Sequence, residues 1–379
     1  HDDVDINPDL SPQEITKIQK INEKYASVFN AAKGALPPLA EGDPIELKLK
    51  TNWKHVQTPE PRWGPASRLI YTKWAQEQLQ VGLYTISNSP SASRPHAVKK
   101  PPPGSPKDVD ITKCGLRICG DYRMANDQLE KSFSTLTNGT EELQKLPGYS
   151  FYWQADHFGM YNAYGLKEGP SRELLAIHTP IGIIEPTRVV FGEKNAGQSA
   201  TAPVRAAITS LPDNALARTA CYVDDNAQGS HTFDSMLKGW SDFLKLCQER
   251  SWCLNATKTK VGYNKCEFFG FEADAQGTRL ADKNVDPIKR MVRPKDLHEL
   301  RHTLGVFVQS KSFVPDYALI VAPLTALTRQ TDGKPVPFEW TYTQQQAYDK
   351  IRNLLLDGVH LCPPNYNLPF HGGGDASND

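Results

Sequence analysis

Tyr222-Val223-Asp224-Asp225 constrains this chain more than any other stretch. Two adjacent carboxylates repel each other, and a chain gains little by fixing them at a strand end unless a cation sits there. Upstream, Ala220-Cys221-Tyr222-Val223 is short, apolar and suited to a buried strand; downstream, Asn226-Ala227-Gln228-Gly229 is turn-rich. The tetrapeptide therefore reads as the tip of a β-hairpin that presents both carboxylates at one end of a sheet. Hard divalent cations take carboxylate oxygens and keep their other positions for water or phosphate. A third carboxylate on a neighbouring strand, for which Asp156 is the candidate, completes a two-metal arrangement suited to in-line phosphoryl chemistry. Taken alone, the tetrapeptide reads more readily as a solvated turn. The rest of the chain has to decide.

At 379 residues the chain is too long for one ordinary domain. Hydrophobic residues make up 39% and charged residues 23%, the balance of a globular protein with a real core. Lys+Arg and Asp+Glu both number 43, so the total charge points to no partner, although a binding channel needs only a local basic lining. The cysteines are seven, with no C-x-x-C and no histidines at zinc spacing, which predicts reduced and mostly buried thiols in an intracellular setting: cytoplasm, virus-like particle or nucleus. The N-terminus lacks the basic and apolar regions of a signal peptide. No apolar run approaches the ~18 residues of a membrane span, so no membrane partner is expected.

Ser11-Pro12-Gln13-Glu14 is a capping box with proline at the first helical position, and it predicts a helix over about residues 12–29. Ile45-Glu46-Leu47-Lys48-Leu49 alternates like an edge strand. Helices are expected from about Ser67 to Val81, from Phe233 through Cys247, from the Asp296-x-x-Glu299 cap onward, and across Ala347, Ile351 and Leu355. Pro101-Pro102-Pro103 predicts an exposed extended loop. Strands interleave with helices irregularly, which favours α+β units over a regular parallel sheet.

Several segments fall in one order: Ile86 to Pro95 leading into Ala97-Val98-Lys99-Lys100; Leu116-Arg117-Ile118-Cys119-Gly120-Asp121-Tyr122-Arg123; Ala155-Asp156-His157-Phe158-Gly159-Met160-Tyr161; Val190-Phe191-Gly192; the Asp-Asp tetrapeptide; Phe269-Gly270; Leu300 to Gly305; and Gly374-Asp375-Ala376-Ser377. From about Ile45 onward this series resembles the reverse transcriptase of gypsy-type long-terminal-repeat retrotransposons. Departures occur around the motifs: Trp153-Gln154-Ala155 stands before Asp156 where the family usually has Phe-Ser-Leu, and Val190 precedes Phe191 where proline is usual.

The resemblance implies a right-hand polymerase, an α+β fold with a ferredoxin-like palm sheet, fingers, thumb and a connection segment. Its boundaries would be an N-terminal extension over 1–62, fingers and palm over 63–285, thumb over 286–332, and connection plus the first residues of a ribonuclease H domain over 333–379. Asp156, Asp224 and Asp225 would be catalytic and would hold two Mg²⁺ ions, with Mn²⁺ as an alternative. The dNTP would meet Lys100, Arg117, Tyr161, Phe191, Gly192 and Lys258, with Tyr161 closing off the space of a 2′-hydroxyl and Lys258 near the leaving group. Phe269 and Gly270 would grip the primer, while Lys289, Arg290, Arg293 and Arg301 would track duplex phosphates. Implied partners are an RNA template, DNA primer and template, an RNA/DNA hybrid and dNTPs.

Asp375 resembles the first metal ligand of ribonuclease H, but a single carboxylate cannot assemble that site, so no ribonuclease H activity is expected of these residues. Asp121 and Arg123 read as structural partners, and Trp153 and Phe158 as core aromatics. Two rivals stay open: a domesticated or decayed polymerase-like protein that binds nucleic acid or assembles, and an RNA-dependent RNA polymerase, against which Tyr161 argues.

Overall fold

The computed structural model describes residues 1–29, 36–100, 115–131, 138–212, 215–331, 334–335, 337–358, 361–362 and 369. Pro101-Pro102-Pro103, Cys114 and Asp375 lie outside the described residues. The chain forms two compact units: residues 1–138, 153–228 and 233–262 in the first, and 139–152, 229–232 and 263–379 in the second.

The first unit is organised by a sheet of five strands: β1 (Asp5–Ile6), β5 (Phe151–Asp156), β8 (Thr219–Tyr222), β9 (Asp225–Ser230) and β10 (Lys260–Tyr263). Their spatial order is β1-β10-β5-β9-β8. After the short helices α3 (Arg123–Asp127), α4 (Gly139–Leu143) and α5 (Pro170–Glu173), helices α6 (Ala196–Ile208) and α7 (Ala215–Arg218) precede β8, and α8 (Phe233–Glu249) joins β9 to β10. Removing β1 leaves a β-α-β-β-α-β unit with first and third strands side by side at the centre, the ferredoxin-like arrangement. The strand that carries Asp156 therefore lies beside the hairpin arm that begins at Asp225.

The N-terminal segment belongs to this unit. The capping box forms as the sequence predicts: Ser11 Oγ accepts from Glu14 N, the Glu14 carboxylate accepts from Ser11 N, and α1 spans Pro12–Lys24, followed by a 3-10 turn over Ala26–Phe29. Strand β1 pairs in parallel with β10, Asp5 opposite Lys260. One face of α8 buries Phe233, Met236, Trp240, Phe243, Leu244 and Cys247. Trp153 of β5 stacks on Phe243 with centroids 4.6 Å apart, and Trp240 Nε1 donates to Asn22 Oδ1 of α1 at 2.9 Å. Burial of rings of this size contributes roughly 2–3 kcal/mol each.

A buried amide ties the three site-bearing strands together. Gln228 of β9 accepts from Trp153 Nε1 of β5 at 3.2 Å and donates from Nε2 to Thr219 Oγ1 of β8 at 2.8 Å. Its carbonyl end lies over Gly239 of α8, where an added Cβ would overlap the amide oxygen.

Helix α2 (Pro65–Gln80) falls where the periodicity predicts it. Beside it, β2 (Tyr84–Ile86), β6 (Ile177–Thr179) and β7 (Gly182–Pro186) form a sheet in the order β2-β7-β6, while β3 (Pro95–Lys100) and β4 (Gly115–Gly120) form a two-stranded ribbon. Ile45–Leu49 does not form the expected edge strand. Ile45 bridges Leu166 in parallel and Leu49 bridges Leu129 antiparallel, so the neighbour changes within five residues and no continuous ladder can grow.

In the second unit β11 (Lys265–Phe268), β12 (Phe271–Asp274) and β13 (Gly277–Leu280) make an antiparallel sheet. Helices α9 (Asp282–Arg290), α10 (Leu297–Gln309), α11 (Tyr317–Ala326) and α12 (Tyr342–Leu356) follow. Asp296 caps α10 by accepting from Glu299 N at 2.8 Å, as the sequence predicts. Cys221, Cys247, Cys253 and Cys266 are buried free thiols, Cys119 is half-buried and Cys362 exposed. Among the described residues no helix is long and apolar enough to cross a membrane.

Gly239→Ala should overpack the Gln228 amide and lower stability by about 1–3 kcal/mol. Urea denaturation of the variant against wild type reads this directly; an unchanged midpoint would show that the amide is not held where these hydrogen bonds put it.

Candidate active site

The Asp-Asp hairpin is as tight as a hairpin can be. Tyr222 pairs with Asp225, leaving Val223 and Asp224 as a two-residue turn. Val223 takes φ 56°, a value that suits glycine and strains a β-branched side chain. Such strain persists only where surrounding structure fixes it. Here His157 N, just beyond β5, donates to the Asp224 carbonyl at 2.9 Å, and Asn255 N donates to the Asp156 carbonyl at 2.8 Å. The end of β5 and the hairpin tip are thus linked through backbone as well as charge.

Asp156 is mostly covered, its side chain 15% exposed. Burial pushes its carboxyl above the usual range; Lys258 pulls it back, and the negative charge of Asp224 pushes it further up. Lys258 Nζ lies 3.0 Å from both Asp156 oxygens, so an ammonium already sits on this carboxylate. The sequence places Lys258 near the site, and the structure puts it in contact with Asp156.

The donor chemistry fits a hard divalent cation. Two carboxylates, one of them desolvated and pushed up by the charge of the other, gain from positive charge between them. Among the described residues, however, no three His, Cys, Asp or Glu side chains converge as an ion-holding group. The structure brings Asp156 and Asp224 together; Asp225 is placed by its pairing with Tyr222 at the start of β9.

Tyr161, on the turn after β5, is half-buried. Burial, then the charge of Asp224, raises its pKa and keeps its phenol protonated. Its ring meets Phe191 edge-on with centroids 4.9 Å apart, and the Arg117 guanidinium lies over the other ring of that pair, 5.4 Å from the Phe191 centroid. Arg117 comes from β4, where it stands opposite Val98 of β3. Three of the sequence candidates thereby form one stack. Lys100 stands opposite Gly115 in the same ribbon, and its side chain lies outside the described residues.

Asp121 and Arg123 pair with each other, Arg123 Nε at 2.8 Å from Asp121 Oδ1, as structural partners. His157 is a finding that sequence reasoning missed. It is 4% exposed, packs edge-on against Trp252 at 5.5 Å, and burial lowers its pKa to about 4. A histidine beside an aspartate carries no sequence signal of burial. Helix α3 (Arg123–Asp127) also supplies Asn126, whose side chain contacts Gly192, 66 positions away, a separation no local pattern reports.

In the second unit, Phe268 pairs with Phe271 and leaves Phe269-Gly270 as another two-residue turn, with φ 52° and 81°. Asn284 Nδ2 donates to the Gly270 carbonyl at 2.7 Å. Lys289 pairs with Asp286 at 3.4 Å, Arg293 lies over Trp340 at 5.4 Å, and Arg290 and Arg301 are exposed.

The chain is 25% identical over 391 residues to the retrovirus-related Pol polyprotein from transposon opus of Drosophila melanogaster, an alignment covering 99% of this chain and 37% of that protein. It therefore spans little more than a third of that relative's length. Among solved structures, the foamy viral protease-reverse transcriptase in complex with dsDNA superposes with a TM-score of 0.80 at 19% identity, over 95% of this chain and 71% of that one. The same viral protein in complex with RNA/DNA hybrid gives 0.78 at 19% identity, over 93% and 45%. No family model matches the sequence. The likeness at this identity establishes the fold, the α+β polymerase fold that the motif order implies.

His157 gives a pH prediction. With its folded pKa near 4 and the unfolded value at 6.5, the unfolded chain takes the proton first as pH falls. Stability should hold above pH 6.5 and decline toward pH 4, by roughly 3 kcal/mol from this group. Urea denaturation in metal-free buffer should show a shallower decline in His157→Phe than in wild type; equal declines would contradict the buried neutral imidazole.

Proposed function

We propose that this chain, a relative of retrotransposon Pol polyproteins with the fold of a reverse transcriptase, is an RNA-directed DNA polymerase of the gypsy-type long-terminal-repeat branch, extending a primer with dNTPs on RNA and on DNA templates. The observation that carries the reading is the meeting of Asp156 and Asp224 at adjoining strand ends, with Tyr161 and Arg117 stacked about Phe191 in the same unit.

Phosphoryl transfer is mainly positioning and charge neutralisation. Asp156, Asp224 and Asp225 would hold two Mg²⁺ ions, which would supply that neutralisation and make the primer 3′-hydroxyl a better nucleophile. Arg117 binds triphosphate oxygens from above Phe191. Its guanidinium lies over that ring, 5.4 Å from the centroid, a cation–π contact that helps to hold it there. Tyr161 excludes a 2′-hydroxyl sterically, with its ring backed by the edge contact with Phe191. Lys258 gives a proton to departing pyrophosphate in this reading, which its contact with Asp156 supports. Phe269-Gly270 contacts the primer, and Lys100, Lys289, Arg290, Arg293 and Arg301 contact phosphates. Nucleic acid, dNTPs and an intracellular particle or cytoplasmic setting belong to the same reading.

Primer extension on RNA and DNA templates, with deoxy- and ribonucleotides compared, tests it. Wild type should extend with dNTPs on both templates, and Asp224→Asn should lose on the order of a thousandfold in rate while keeping its fold. Full activity in Asp224→Asn sinks the mechanism. Equal use of ribonucleotides by wild type would instead identify an RNA polymerase, and no extension on any template a decayed or domesticated relative.

A further inference from the structure

The loop carrying Phe191 is bracketed by one side chain. Asn126 Nδ2 donates to the Gly192 carbonyl at 2.8 Å, and Asn126 Oδ1 accepts from Lys194 N at 2.9 Å. A single amide thus offers its donor and its acceptor to backbone groups two residues apart, as a strand neighbour would. Gly192 itself sits at φ 93°, a conformation open to glycine and closed to most side chains, so the chain reverses sharply just after Phe191.

Packing does not hold this turn from every side. Gly192, Asn126, Arg123, Asp121 and His96 border an open cavity of about 410 Å³. Phe191 is 41% exposed, so its ring is not locked by a surrounding core. Its position is set by the loop below it, by the edge of Tyr161 and by Arg117 above. Further stitches tie the far end of the loop: Lys194 Nζ donates to the Leu129 carbonyl at 3.1 Å, and Asn195 Nδ2 to the Glu130 carbonyl at 3.1 Å. Only Asn126 reaches Gly192 among the hydrogen bonds of the described residues.

We propose that Asn126 is a positioning residue for sugar selection: by fixing the Gly192 turn it holds Phe191 against Tyr161 and Arg117, and so keeps the Tyr161 ring across the space of a 2′-hydroxyl. This rests on the polymerase reading above. Asn126 touches no nucleotide in this account and acts through Gly192 and Phe191. Loss of the Gly192 bond lets Phe191 move toward the cavity, and Tyr161 then yields to a ribose.

Single-nucleotide extension with the full chain tests this through the ratio of kcat/KM for a dNTP to that for the matching ribonucleotide. Asn126→Asp keeps the size and the acceptor toward Lys194 N but removes the donor toward Gly192. It should lower the ratio by about fivefold to tenfold, the equivalent of one hydrogen bond, chiefly by raising ribonucleotide use. Phe191→Leu, which leaves the bracket intact but removes the ring contact, should lower the ratio similarly. Lys194→Met, which removes the side-chain bonds to the Leu129 and Asn126 carbonyls but leaves the Asn126 side-chain bracket on Gly192 and Lys194 N intact, should reduce thermal stability and leave the ratio unchanged. The proposal is overturned by a wild-type ratio in Asn126→Asp or in Phe191→Leu, by equal loss of both nucleotides, or by a fall in the ratio with Lys194→Met. If Asn126→Asp does not fold, the Phe191→Leu ratio alone decides. A wild type that extends no primer overturns the polymerase reading and this proposal with it, an outcome distinct from extension without the predicted change in selectivity.

Discussion

Like charge held at close range is the constraint on which the first unit depends. Asp156 ends β5 and Asp224 lies in the turn between β8 and β9, and the charge of Asp224 raises the cost of ionising Asp156 in a partly desolvated place. The fold answers this cost in two ways. Lys258 sets an ammonium on both Asp156 oxygens, and the backbone fixes the strand ends through His157 N on the Asp224 carbonyl and Asn255 N on the Asp156 carbonyl. Beneath them, Gln228 joins β5, β8 and β9, and the Trp153, Trp240 and Phe243 cluster supplies the apolar burial that makes such a site tolerable. A sheet of these strands without that support would relax the hairpin and separate the aspartates.

Strain is placed at the turns as well. Val223 and Phe269, each bulky and each at positive φ, occupy the tips of two separate two-residue hairpins. Glycine or asparagine would serve either turn at lower conformational cost. Their presence at the two hairpins that the motif order singles out accords with strain retained where a side chain is needed in one orientation. Phe269 is accommodated because Gly139 offers no Cβ to its ring, within the same unit.

Much of this was legible in the sequence wherever a local pattern carried it. The Ser11–Glu14 box, the Asp296 cap, the amphipathic face of α8 and the Asp-Asp hairpin are short-range features whose physics is complete within a few residues. The order of motifs gave the polymerase fold. What escaped was long-range. Ile45–Leu49 alternates like a strand, yet its backbone partners lie in two different segments, so no ladder forms. The burial of His157, the Gln228 triad and the Asn126 bracket depend on residues tens of positions away. Arg293 and Lys289 are expected from the resemblance to track duplex phosphates, and their contacts with Trp340 and Asp286 carry no local sequence signal.

The account stands or falls on whether the two facing aspartates bind a divalent cation together. Titration of Mn²⁺ into the chain, with free ion followed by electron paramagnetic resonance, measures this without requiring turnover. The account predicts saturable binding in wild type that weakens roughly tenfold or more in both Asp156→Asn and Asp224→Asn. Binding that is unsaturable in wild type, or unchanged in either variant, would contradict it.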